Sequence, residues 1–184
     1  IGFRALKLNT TTSSNVAVGV NSLANNVASN NTAVGFSSLV ANTTGDRKVA
    51  LGYYSLLSNT TGANNVAVGW EAGCSITDSV GHVAVGYEAL QNTTTGDVNV
   101  AIGYRSLFSN TTASNNTSVG TCSLYTNTTG SGNTAIGKDA LDSNTEGADN
   151  VATGLDALQS KPTANEHVTD GRTSLQENTN SHTH

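Results

Sequence analysis

A glycine returns every 17 residues along this chain. The motif N-V-A-V-G and its variants end at Gly2, Gly19, Gly35, Gly52, Gly69, Gly86, Gly103, Gly120, Gly137, Gly154 and Gly171, with one shorter step between Gly19 and Gly35. A period of this size marks a solenoid, in which each unit buries its apolar side only against its neighbours. Other columns share the period. Leu6, Leu23, Leu39, Leu56, Leu90, Leu107, Leu124, Leu141, Leu158 and Leu175 follow the glycine at a constant offset, interrupted at Gly73, and the residue before each is Ala or Ser. One Asn column runs through Asn9, Asn26, Asn42, Asn59, Asn110, Asn127, Asn144 and Asn178; a second runs through Asn15, Asn31, Asn65, Asn99, Asn116, Asn133 and Asn150.

Alternating β-branched residues such as Val66-Ala67-Val68 predict a short strand, with Val66 and Val68 facing inward and Ala67 outward. The glycine supplies a corner, the Ala/Ser-Leu pair a second short strand, and the N-T-T-G stretch the return to the next turn. Apolar residues do not recur at helical spacing, and Gly, Asn and Thr are abundant, so helix is not expected. The expectation is an all-β parallel β-solenoid of about eleven 17-residue turns, spaced at about 4.8 Å, the strand separation. Its repeat domain spans 1–175, and a polar C-terminal tail spans 176–184. Stacked amides would bond up and down each Asn column, as in cross-β ladders.

Composition narrows the function. Charged residues make up 11% of the chain and the net charge is −5, which argues against nucleic acid, whose phosphates call for a basic stripe. It also lacks the high charge of a disordered chain. No apolar run is long enough for a membrane-spanning helix. The opening at Ile1-Gly2, partway through a repeat, reads as a processed product or a fragment of a longer protein.

A turn with so few inward apolar residues has a thin core, which calls for help from outside. The residue between the two valines is Ala17, Ala33, Ala50, Ala67, Ala84, Ala101, Ala135 and Ala152. Taken as outward-facing, this persistent alanine predicts lateral packing of identical chains.

The repeated N-V-A-V-G or N-T-A-I-G strand, followed after two residues by Ala or Ser, resembles the head repeat of YadA-like trimeric autotransporter adhesins and related phage tail-fibre repeats. The resemblance extends from Ile1 to about Leu175. It implies a left-handed β-roll, three chains side by side, extracellular on a cell surface or virion fibre, that binds host or matrix ligands. The turns here are longer than is common in that family, with the excess in the N-T-T-G corner.

Nothing in the chain spells catalysis. Ser-His-Asp spacing, a Walker loop, paired carboxylates and the calcium-binding nonapeptide are all missing, so neither enzyme activity, a cofactor nor a metal site is expected. Cys74 and Cys122 stand nearly three turns apart, roughly 14 Å along the rod, too far for a disulfide within the chain. They read as free, buried or intermolecular thiols. His82 and His167 substitute in the Asn column five turns apart, and His182 and His184 belong to the tail.

Three rows are candidates for recognition. Phe36, Tyr53, Trp70, Tyr87 and Tyr104 follow successive glycines and form a potential ligand or partner surface, either by stacking on sugars or a receptor or by filling an oligomer seam. The Thr row from Thr10 and Thr43 to Thr128 and Thr145 resembles the ladders of ice-binding proteins, though turn formation also accounts for it. Sequons at Asn9, Asn42, Asn59, Asn92, Asn110 and Asn127 are candidate glycosylation sites. The expected function is an extracellular fibre or adhesin head. Alternatives are a filament of subunits stacked end to end, with or without glycans on its sequons, and an ice- or glycan-binding solenoid.

Overall fold

The computed structural model describes residues 1–160, 163 and 165–171. Pro162, Arg172, Leu175, and the tail at 176–184 with His182 and His184, lie outside the described residues. Among the described residues ten three-residue strands follow one another: β1 (Val16–Val18), β2 (Thr32–Val34), β3 (Val49–Leu51), β4 (Val66–Val68), β5 (Val83–Val85), β6 (Val100–Ile102), β7 (Thr117–Val119), β8 (Thr134–Ile136), β9 (Val151–Thr153) and β10 (Val168–Asp170). They form one parallel sheet in strict chain order, a β-solenoid of about nine turns. The count from glycines was about eleven; the first described strand is Val16–Val18, and Gly2 stacks on Gly19 outside any strand.

Register is like over like. Ala33 pairs with Ala50, Ala50 with Ala67 and Ala67 with Ala84, with the flanking residues matched in the same way. The short step between Gly19 and Gly35 leaves it intact, because Val16 still meets Thr32 and Val18 meets Val34. The missing residue comes out of the corner: Asn26 donates to the carbonyl two residues on, Ala28 O, whereas Asn42 donates to the carbonyl three residues on, Gly45 O.

The inside and the outside of the strands are the reverse of the sequence expectation. Ala33, Ala50, Ala67, Ala84, Ala101, Ala135 and Ala152 are wholly buried and Ala17 is 6% exposed, while Val16 and Val18 beside it are 50% and 40% exposed. The alanines line the interior and the valines point out. The lumen is too narrow for anything larger. Across from the strands stands the Ala/Ser column, close enough that Ser22 Oγ donates to Ala33 O at 2.9 Å and Ser106 Oγ to Ser118 Oγ at 2.7 Å. With two backbones that close, only methyl and hydroxymethyl groups fit. The leucine column, wholly buried from Leu23 to Leu158, fills the wider end.

The limb carrying those leucines is not a second strand. Leu56, Leu90 and Leu107 have φ of 48°, 55° and 52°, and Tyr54, Glu88 and Arg105, two residues earlier, lie at 56°, 53° and 52°. Left-handed backbone at a non-glycine residue costs roughly 1–2 kcal/mol, least where there is no branch at Cβ, which suits leucine over valine or isoleucine. The limb is a chain of turns, such as Asn59 N to Leu56 O at 3.2 Å, whose other amides still reach adjacent coils, as in Leu56 N to Ala72 O at 3.1 Å.

The one described break in the leucine column is repaired within its own turn. At Gly73 a Cβ would stand 2.8 Å from Ile76 Cδ1. Ile76, wholly buried, occupies an Asn-column position and reaches back into the space a leucine would take.

Candidate functional site

The exposed faces and the interior amide columns are separate systems. Inside, each second-column amide brackets the next turn. Asn99 Oδ1 accepts from Asn116 N at 2.9 Å and Asn99 Nδ2 donates to Ala113 O at 2.8 Å; Asn116 and Asn133 repeat the pattern. The first column bonds along itself, Asn144 Nδ2 to Asn127 Oδ1 at 2.7 Å, and to the corner carbonyls. Both columns therefore serve the stack.

That placement overturns most of the sequons. Asn42, Asn59, Asn110 and Asn127 are wholly buried, so no glycan can be attached to them in the folded roll. Asn9 and Asn92 are partly exposed, and their amide nitrogens donate to Thr12 O at 3.2 Å and Phe108 O at 3.0 Å. An asparagine in a thin roll is more useful pointing in, where corner carbonyls would otherwise lack donors.

His82 takes an asparagine's place as the sequence indicated. Its Nδ1 accepts from Asn99 N at 3.1 Å, as an amide oxygen would, while its Nε2 is buried toward the Gly96 backbone without a well-formed hydrogen bond. Burial pushes the imidazole pKa down, against a smaller opposing pull from Asp97. The unfolded chain therefore takes up a proton before the folded one does, so stability falls as pH drops below the usual histidine range and through the lowered value. His82→Asn should remove this acid-side loss and gain about 1 kcal/mol or more, the penalty of one unsatisfied buried donor. Urea unfolding of both proteins at neutral and acid pH checks it.

Lys48, in the same column, carries no signal except that it interrupts the asparagines, and the sequence reading passed over it. Its side chain is wholly buried, and Nζ donates to Asn42 Oδ1 and Asn59 Oδ1.

On the surface the aromatic row is real and self-stacked. Phe36 and Tyr53 lie 5.4 Å apart at 13°, Tyr53 and Trp70 4.1 Å at 12°, and Tyr87 and Tyr104 5.4 Å at 11°. Phe108 stacks on Tyr125 in a neighbouring column, and the Arg105 guanidinium sits 5.3 Å from the Tyr104 and Phe108 rings while pairing with Glu88 at 2.6 Å. Rings stacked on one another have faces covered and edges exposed; Trp70 remains 45% exposed. The row is two stacks, Phe36–Tyr53–Trp70 and Tyr87–Tyr104, so it presents exposed ring edges along its length and uncovered faces where the stacks end.

The threonine row uses its hydroxyls along the rod. Thr60 Oγ1 donates to Thr77 O at 3.3 Å, Thr94 Oγ1 to Thr111 O at 3.1 Å and Thr128 Oγ1 to Thr145 O at 3.0 Å. These donors are spent on the next turn instead of facing solvent. Cys74 and Cys122 are unpaired and partly buried, each thiol pKa raised chiefly by burial.

The outer face of the sheet is a continuous apolar surface. Two rows, Val16, Val49, Val66, Val83, Val100 and Val151 on one side and Val18, Val34, Leu51, Val68, Val85, Ile102, Val119 and Ile136 on the other, run along the rod, with threonine at some positions and no charge until Asp170. Among the described residues, no helix is long and apolar enough to cross a membrane. In comparisons with known proteins, no family model, curated protein or solved structure matches this chain.

Proposed function

We propose that this chain is a rod-forming segment of an extracellular fibre or adhesin head, a left-handed β-roll that assembles laterally as a trimer, projects from a surface, and binds host or matrix ligands without catalysis. The observation that carries the reading is the uncharged double row of valine and isoleucine on the outer face. Exposed apolar surface of such length marks a contact, and its straight register suits an identical rod laid alongside. The valines thus take the lateral role first ascribed to the alanines. The aromatic row, in two stacks from Phe36 to Trp70 and from Tyr87 to Tyr104, follows the strand-end glycines beside this face, where it suits the seam between copies or a receptor surface. The repeat's resemblance to trimeric adhesin heads supports the same assembly.

Light scattering on the purified chain should give three times the monomer mass. The double variant Val83→Lys/Val100→Lys should give the monomer mass with an unchanged far-UV spectrum, since both positions point away from the core. A wild-type monomer would overturn the trimer, and an open-ended mass distribution would favour end-to-end filaments.

A further inference from the structure

Among the described residues Lys48 is the only lysine or arginine with a wholly buried side chain. Its amine is held between two primary amides on successive turns, touching Asn42 Oδ1 and Asn59 Oδ1. The two amides differ. Asn42 Nδ2 is fully engaged, donating to Asn26 Oδ1 at 2.5 Å and Gly45 O at 2.9 Å. Asn59 Nδ2 is buried and has no partner. Elsewhere in the column, Asn144 and Asn127 each donate to the amide oxygen of the turn before and to a corner carbonyl. At Asn42 that oxygen is taken by Lys48.

We propose that Lys48 and Asn59 join in an intrachain amide bond that staples adjacent turns. Nζ of the neutral amine attacks Cγ of Asn59, the Nζ–Cγ bond forms, and the Cγ–Nδ2 bond breaks. The unpartnered Nδ2 leaves as ammonia, carrying away the proton that the amine gives up. Atoms and charge balance with no oxidant or co-reactant. Asn42 is a positioning residue: by accepting a hydrogen from Nζ it keeps the amine beside the Asn59 carbonyl. A nucleophile locked against its electrophile reacts as though greatly concentrated, and a lysine held away from water is a better nucleophile than a solvated one. Burial lowers the Lys48 pKa to about 7, against an opposing pull from Asp46, so the neutral amine is well populated from neutral pH upward. The product also removes a buried amine and a buried orphan amide at once.

Intact mass of the folded full chain, followed at mildly alkaline pH, is the test. Loss of one ammonia should lower the mass by about 17 Da, faster as pH rises through neutrality. Trypsin should then fail to cut after Lys48 and release a 48–105 peptide lighter by that amount. The same chain held in denaturant should keep its full mass, as should Lys48→Arg and Lys48→Asn; the second restores the column's own residue and should fold. A folded wild type that retains full mass overturns the proposal. So does ammonia loss that persists in Lys48→Arg or in denaturant, which would signal a succinimide. A product joining 8–47 to 48–105 would overturn Asn59 as the partner.

Discussion

Gly69→Ala should destabilise the stacked sheet more than any other single substitution considered, by about 4 kcal/mol or greater. Gly69 has φ +139°, a conformation closed to residues with a Cβ, and an added Cβ would stand 2.3 Å from Gly86 O and 2.7 Å from Gly86 C. The obstacle is backbone, so no side-chain rotation relieves it. The turns must part, and Gly69 N to Leu51 O and Gly86 N to Val68 O, both 2.8 Å, are the bonds next to the wedge. Strain at such a φ costs about 1–3 kcal/mol and each lost buried bond about 1 kcal/mol more, so the total is about 4 kcal/mol or greater. Gly81→Ala is the control. There φ is +75°, the nearest atom is Val98 Cγ2 at 3.4 Å, and the equivalent positions in other turns are Asn64 and Val98, so the loss should be about 1 kcal/mol. Urea titrations followed by circular dichroism compare the two; equal losses would mean that turn-to-turn contact is not what the ladder glycine protects.

Ala101→Leu should be nearly as damaging. Ala101 is wholly buried in β6, in register between Ala84 and Ser118. Three extra carbons have nowhere to go in a lumen where facing serines already hydrogen-bond across the gap, and overpacking of this kind costs about 3 kcal/mol. Leucine at the adjacent Val100, which faces out, should change monomer stability by no more than about 0.5 kcal/mol. The reverse pattern, with leucine tolerated at 101 and harmful at 100, would restore the inside-out arrangement that the strand pattern first suggested.

Much of the scaffold was legible before any coordinate. Gly19 over Gly35 over Gly52 implied like-over-like stacking, and the strand registers agree residue for residue. The buried leucines and the bonded Asn columns followed from the same repetition. Other features were hidden because they depend on distance across the roll. The sequons at Asn42 and Asn59 match a glycosylation pattern and are nonetheless the column that binds the corner carbonyls. The Ala/Ser-Leu limb read as a strand because local pattern does not report the sign of φ. Ile76 standing in for the leucine lost at Gly73 becomes visible only when both side chains are seen to share one space.

By itself the amino-acid order determined the period, the parallel register and the all-β class, because identical units repeated at constant spacing can satisfy their backbones only by stacking. It left open which half of each alternating strand is the inside. An alternation of valine and alanine is equally regular in either phase, and the usual preference for burying the larger residue favours the wrong one. The separation of the two walls decided it: a lumen with room for methyl groups takes the alanines and turns the valines outward, where they become the surface available to another chain.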